Sequence, residues 1–189
     1  MNRNQTLGWL LGGAVLAYLV YNRDPLAQFA ESGVDSMTAA LTGWKNVQQG
    51  PVWVPVINTT ENQFGIPADL LARMAYQESS FKPEVISGLK VSRAGAAGIL
   101  QMLPQYFASV NVPTPYTAAD TVAQISEAAQ YLQSLYAQFG DWGMALAAYN
   151  WGPTRMRQYI AGTAQMPEET ANYVTRILAD VPLPSSLLA

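Results

Sequence analysis

The chain has 189 residues, half of them hydrophobic and only 12% charged, with a formal net charge of −3. That is room for one domain plus an appendage, and the few Lys and Arg form no run, so nucleic acid is not an expected partner. There is no Cys and no His, which excludes disulfides, thiolate nucleophiles, most zinc sites and every Ser-His-Asp type triad. Any catalysis must rest on carboxylates, hydroxyls, amides or a few Lys.

Thr6 to Tyr21 is a nearly continuous apolar run without a charge, preceded by Arg3 and stopped by Asn22, Arg23 and Asp24. As a helix it rises about 24 Å, a few ångströms short of a hydrocarbon core. Trp9, Tyr18 and Tyr21 stand near its ends, where amphipathic rings anchor at a membrane interface. The expected element is a transmembrane anchor over residues 1–23, contacting the membrane through residues 6–21. A cleaved signal peptide is the rival, but the small residues of a cleavage site are missing; a buried helix is the other. Gly8 and Gly12 form a small-xxx-small pair.

Residues 24–50 are expected to hold an amphipathic helix and a linker. Ala30, Val34, Met37, Leu41 and Trp44 form one apolar seam with a 3.5-residue period across 25–45. That seam suits packing on the chain's own body or, alternatively, a contact with a protein assembly or a membrane surface. Gly50, Pro51 and Pro55 break the pattern, and the domain boundary is expected there, with the main domain at 51–189.

Beyond Pro55 the pattern is helical with short joints. Gly65 ends one helix and Pro67 opens the next in its first turn. Thr117 and Asp120 form a capping box for a long helix. Its stripe is Val122, Ile125, Ala129, Leu132, Tyr136 and Phe139, and Gly140 stops it. Asp141 caps a following helix that ends near Asn150 and Gly152. A final helix spans about Thr170 to Asp180 before Pro182 and Pro184. No segment alternates with period 2, so the fold class is all-α.

On the Pro67 helix the apolar face is Leu70, Leu71, Met74 and Ala75, and Glu78 continues it. A carboxylate on that stripe is desolvated, its pKa rises, and it stays protonated near neutrality, as a general acid must. The alternative is an edge Glu that reaches solvent or pairs with an Arg. Between Ser87 and Pro104, Gly95, Gly98 and several Ala permit close backbone approach. Tyr149, Asn150 and Trp151 stand beside the Gly152-Pro153 break; an aromatic face and an amide at a loop suit a sugar ring, while a core Tyr and a capping Asn are the structural alternative.

Glu78-Ser79-x-Phe81-x-Pro83 resembles the catalytic motif of the soluble lytic transglycosylases, a family related to goose-type lysozyme. Gly95-Ala96-x-Gly98-Ile99-Leu100-Gln101-x-x-Pro104 resembles the second motif, Ala148-Tyr149-Asn150-x-Gly152-Pro153 the third, and Pro167-x-Glu169-Thr170-x-x-Tyr173-Val174 the fourth. The likeness covers roughly residues 55–180, in the family's order. It implies a lysozyme-like helical domain that cleaves peptidoglycan glycan strands without a metal or organic cofactor. Glu78 is then the single acid and base, and Ser79 orients it or the substrate. Gln101 and the backbone near Gly98 line the sugar cleft, Tyr149 and Asn150 contact the sugar or the carboxylate, and Glu169 supports the far side.

Two departures stand out. About five extra residues, Gly88 to Ser92, lie between the first two motifs, and Leu103 replaces the family's frequent Met. The resemblance implies closure of a 1,6-anhydro ring by the sugar's own 6-hydroxyl; a hydrolytic lysozyme and a catalytically idle peptidoglycan-binding scaffold are the competing readings. An anchored enzyme would face the periplasm or sit within a bacteriophage virion.

Overall fold

Proline at a helix start, glycine past a helix end and a short polar side chain at the N-cap mark where this chain turns. A computed structural model describes residues 43–181, and each such signal can be followed there. Helix α1 spans Gly50–Phe64, α2 Leu70–Ser79, α4 Ala118–Phe139, α5 Trp142–Trp151, α6 Pro153–Ile160 and α7 Glu168–Leu178, with α3 a single turn at Pro83–Ile86. Two 3₁₀ turns, Trp44–Asn46 and Ala108–Val110, complete the set. Among the described residues the sole β feature is an isolated bridge between Ala97 and Met102, so the body is all-helical.

The expected break at Gln48–Pro55 is instead the start of α1. Pro51 occupies its first turn, where no intrahelical donor is lost, and Pro55 is carried inside the helix. The second helix also starts later than Pro67. Asp69, left-handed at φ 68°, is its N-cap, because Glu61 of α1 takes the Asp69 and Ala72 amide protons at 2.8 and 2.9 Å. A carboxylate 8 and 11 residues upstream thus does the work of a local cap. Gly65 closes α1 at φ 64° as expected.

The Thr117–Asp120 capping box is present in full. Asp141 caps α5, with its carboxylate accepting from the Met144 amide at 2.7 Å. On α4, Val122, Ile125, Ala129 and Leu132 are buried, and Tyr136 and Phe139 pack at the margin of the core. Full burial of each large aliphatic side chain contributes roughly 1.5–3 kcal/mol. Tyr136 stacks on Trp142 with ring centroids 4.0 Å apart, which fixes the turn from α4 to α5.

Helix α5 packs on α4, α6 and α7; α7 also packs on α2, and α1 on α4 and α2. This arrangement brings α7 against the C-terminal half of α2, nearly a hundred residues earlier in sequence. Residues 44–49 lie on the same body: Trp44 stacks on Tyr76 at 6.0 Å, Lys45 pairs with Asp69 at 2.6 Å, and the Gln49 amide donates to the Phe81 carbonyl at 3.1 Å. Trp44, the last position of the expected seam, is therefore in a 3₁₀ turn.

Residues 6–21 and most of the expected helix at 25–45 lie outside the described residues. None of the described helices is long and apolar enough to cross a membrane.

Candidate active site

Glu78 sits in the last turn of α2, and the chain stops that helix abruptly. The Ser80 amide closes onto the Tyr76 carbonyl at 2.8 Å with Ser80 at φ 50°. Phe81 then turns inward and is fully buried. Ser79 serves this turn. Its hydroxyl donates to the Ala75 carbonyl at 2.8 Å and accepts the Phe81 amide at 3.1 Å, and the residue is only 3% exposed. These bonds hold the backbone that ends α2, so an orienting role for Ser79 beside Glu78 would run through that backbone.

Glu78 is partly exposed, and protein encloses most of its carboxyl. Burial pushes that carboxyl up to about 7, against the lowering effect of a hydrogen bond from the Tyr173 hydroxyl to Oε1 at 2.8 Å. The negative end of the α2 dipole lies beside it and also disfavours the anion. No second carboxylate is among the groups that shift it. An acid that is still protonated near neutrality, with one phenol donor and no paired carboxylate, is what these terms produce.

Tyr173 comes from the middle of α7, where it is 6% exposed. Burial, then the charges of Glu78 and Tyr149, raise its pKa well above the ordinary value, so it remains a neutral donor. Tyr149, on α5, is raised in the same way by burial and then by Glu78. Its hydroxyl donates to the Leu100 carbonyl at 2.9 Å, tying α5 to the turn that follows Gly95. Tyr149 also packs on Tyr131, centroids 5.7 Å apart, which meets Phe107 edge-on at 5.2 Å. This aromatic column runs from α5 across α4 to the loop before the Ala108–Val110 turn.

The Gly95–Pro104 segment folds as a tight reversal. Ala97 and Met102 exchange both amide hydrogen bonds at 2.9 Å, leaving Gly98 to Gln101 as its tip. Gly98 is buried at φ 77°, and a Cβ there would collide with the Gln124 side-chain amide. Gly98 therefore lets the tip close onto α4, holding in place the backbone expected to line the cleft. Gln101, itself at φ 45°, donates its amide to the Gly98 carbonyl at 3.1 Å and keeps part of its surface open.

Asn150 is exposed on the last turn of α5, and its Oδ1 accepts from Thr170 Oγ1 at 2.9 Å. Tyr149 and Asn150 are helical; the loop expected around them shrinks to Gly152, after which Pro153 begins α6. Glu169 is exposed in the first turn of α7, where a carboxylate complements the positive helix end. It does not bond Glu78. The structure thus links Glu78 with Tyr173 and Tyr149, ties Tyr149 to the Leu100 carbonyl next to Gln101, and bonds Asn150 to Thr170 and Ser79 to the backbone that ends α2.

Tyr173, Thr170, Tyr131 and Phe107 were not singled out by sequence reasoning. The first two lie inside the fourth motif, where Tyr173 bonds Glu78 and Thr170 bonds Asn150. The extra residues at Gly88–Ser92 are anchored by the Tyr116 amide donating to the Ser87 carbonyl at 2.9 Å and the Lys90 amide to Glu84 at 2.8 Å. They leave Leu89 and Val91 exposed.

Fold and site together define a lysozyme-like helical domain with Glu78 in the last turn of α2. The chain belongs to the family described as Transglycosylase SLT domain, whose pattern matches residues 55–172. Among curated proteins it is similar to the soluble lytic murein transglycosylase of Escherichia coli K12, 31% identical over 133 residues covering 60% of this chain and 20% of that protein. It is also similar to the membrane-bound lytic murein transglycosylase D of the same strain, 33% identical over 54% of this chain and 25% of the relative. A transglycosylase of Enterobacteria phage PRD1 is 30% identical over 61% of this chain and 40% of its own length. Among solved structures, an inactive mutant of the lytic transglycosylase Slt from Pseudomonas aeruginosa superposes with a TM-score of 0.52 at 25% identity, over 66% of this chain and 22% of that one. The soluble lytic transglycosylase of E. coli gives 0.51 at 25% identity, over 69% and 25%. The chain therefore spans well under half the length of the curated relatives named here.

Proposed function

We propose that this chain is a peptidoglycan lytic transglycosylase, cleaving the β-1,4 bond from N-acetylmuramic acid to N-acetylglucosamine and leaving a 1,6-anhydro-muramyl end. The observation that carries this reading is the setting of Glu78: a partly exposed side chain at the end of α2, bonded to the Tyr173 hydroxyl, its carboxyl pushed up to about 7 by burial with no carboxylate among the groups that shift it. Glycosidases of the ordinary kind use two carboxylates, one of them to activate water or attack the sugar. A single Glu must act twice.

In the first step Glu78 gives its proton to the glycosidic oxygen while the C1–O bond breaks, and the electron pair leaves with the N-acetylglucosamine 4-oxygen. The muramyl C1 develops oxocarbenium character, which the substrate's own N-acetyl group can stabilise. In the second step the 6-hydroxyl oxygen of the same sugar bonds to C1, and its proton passes to the Glu78 carboxylate. The acid is regenerated and no water is consumed. Tyr173 favours the anionic form of Glu78 through its hydrogen bond and so eases the transfer between the two steps.

Gln101, Tyr149 and Asn150 are the side chains proposed to meet the sugars; Ser79 and Gly98 act through the backbone they hold, and Glu169 borders the far side. No metal or organic cofactor enters this scheme. The proposal extends to location: a domain anchored through residues 6–21 on the periplasmic side of a membrane, or carried in a bacteriophage virion, with the stretch at 25–45 as a candidate contact for an assembly. Support comes from one relative named membrane-bound and another from a phage.

The test is digestion of purified peptidoglycan by the full chain, with Glu78→Gln alongside and products resolved by mass spectrometry. Anhydro-muramyl ends that vanish in the variant are expected. Reducing ends would make it a hydrolase, and a folded protein that yields no products would make it a binding scaffold.

A further inference from the structure

Glu61 is a buried carboxylate that the proposed chemistry does not use. It is 1% exposed, it lies in α1, and it reaches across to the start of α2. Oε2 accepts the Asp69 amide at 2.8 Å and Oε1 the Ala72 amide at 2.9 Å. The Asn58 amide, oriented to donate, adds a contact to Oε2 at 3.2 Å. The first amides of a helix have no intrahelical acceptor and form its positive end, so a bidentate carboxylate there is a charged peg in the helix socket. Asp69 itself offers no side-chain cap; its carboxylate is drawn away to Lys45 at 2.6 Å.

The helix so pegged is the one that carries Glu78. Among the described residues a side-chain hydrogen bond from Tyr173 on α7 registers Glu78 at the far end. The helix is ten residues long and packed on buried Leu70, Leu71 and Met74, so it transmits displacement of one end to the other as a rigid rod.

We propose that Glu61 is a positioning residue for the reaction: by holding the N-terminal turn of α2 it sets the place at which Glu78 meets Tyr173. This rests on the reading of Glu78 as the acid. Glu61→Gln keeps the size of the side chain but turns one acceptor into a donor that faces a backbone N–H. The N-terminal turn then shifts, and the Glu78–Tyr173 bond lengthens.

The readout is the pH profile of turnover, because a role in stability alone lowers the amount of folded enzyme and leaves that profile in place. The Tyr173 bond lowers the pKa of Glu78, so weakening it moves the alkaline limb to higher pH. The other groups that bear on this limb are Tyr149 on α5, Arg73 on α2 through Tyr173, and Glu127 on α4 through Tyr149; Asp69 and its partner Lys45 face Glu61. None of these side chains is itself changed in Glu61→Gln.

The experiment measures kcat and KM on peptidoglycan across pH for wild type, Glu61→Gln, Tyr173→Phe and the double variant, well below their unfolding temperatures. The expected result is a several-fold fall in kcat with KM nearly unchanged and an upward shift of the alkaline limb in Glu61→Gln. In the Tyr173→Phe background the Glu61 substitution should add no further shift, since both act on one bond. An unmoved limb in Glu61→Gln, or shifts that simply add in the double variant, would overturn the proposal. Should Glu61→Gln fail to fold, Asn58→Ala, which removes the Asn58 amide from Oε2 and from the Val54 carbonyl but leaves the Asp69 and Ala72 amides on Glu61, takes its place with the same signs and a smaller shift. Glu78→Gln run in parallel separates the failures: retained turnover there sinks the acid assignment itself, whereas an inactive Glu78→Gln beside an unshifted Glu61→Gln sinks only the positioning role.

Discussion

The two ends of α2 each hold a carboxyl that burial pushes up to about 7, yet they are built for opposite tasks. At the N-terminal end Glu61 is sealed from solvent and accepts backbone amides from Asp69 and Ala72; the helix dipole and these donors favour its anion. At the C-terminal end Glu78 keeps an opening to solvent, has one phenol donor and faces the negative end of the dipole. One carboxyl is saturated with partners and immobile. The other has one phenol donor and an opening to solvent, as the proposed acid role requires. A similar raised pKa, read alone, does not tell a structural carboxylate from a catalytic one; the count of donors and the access to solvent do.

The sharpest way to break this contrast is Glu78→Gln. Turnover should fall by roughly a thousandfold or more, the scale of a lost general acid, while far-ultraviolet circular dichroism stays unchanged. Stability should move the other way. Because the folded pKa of Glu78 is raised from 4.5 to about 7, its contribution is fully present below pH 4.5 and is lost as pH rises through 7. Above that pH the Gln variant should be the more stable protein by about 2 kcal/mol in urea unfolding. Part of the wild-type slope between pH 4.5 and 7 should remain in the variant, because Glu61 titrates in the same sense. A variant less stable than wild type at pH 8 would contradict a strained Glu78.

Tyr173→Phe comes next. It deletes the donor to Glu78 without changing ring packing, and a roughly tenfold loss in kcat is expected, the kinetic equivalent of one hydrogen bond. The alkaline limb of the profile should rise, since the bond that lowered the Glu78 pKa is gone. Gly98→Ala tests the wall of the site. The left-handed φ and the Gln124 amide in the way should cost about 1–3 kcal/mol of stability, with a rise in KM that exceeds the fall in kcat. Glu169→Gln should be the mildest: activity within about twofold of wild type, because an exposed first-turn charge contributes only about 0.3–1 kcal/mol to its helix.

Local signals were legible where the physics is local. The Thr117–Asp120 box, the Asp141 cap, Gly65 and the α4 stripe all stand where the sequence pattern implied, and Glu78 does continue the buried face of α2. What could not be read is what arrives from far along the chain. Helix α2 begins at Leu70, not Pro67, because its cap is Glu61 in another helix. The hydrogen bond to Glu78 comes from Tyr173, 95 residues away, and neither helix period nor spacing links the two. Pro51 and Pro55 looked like a break, although a proline in the first turn starts a helix as readily as it ends one. The backbone bonds of Ser79 to Ala75 and Phe81 were not legible either, because they depend on how the chain turns after the helix end.

The central claim is that one enclosed carboxyl, Glu78, performs both proton transfers without water. Mass spectrometry of peptidoglycan digested in ¹⁸O-labelled water tests it most directly. Anhydro-muramyl ends that carry no ¹⁸O, absent from the Glu78→Gln digest, are the predicted result. Reducing ends labelled with ¹⁸O would show that water, and not the sugar's own 6-hydroxyl, completes the reaction, and would contradict the account.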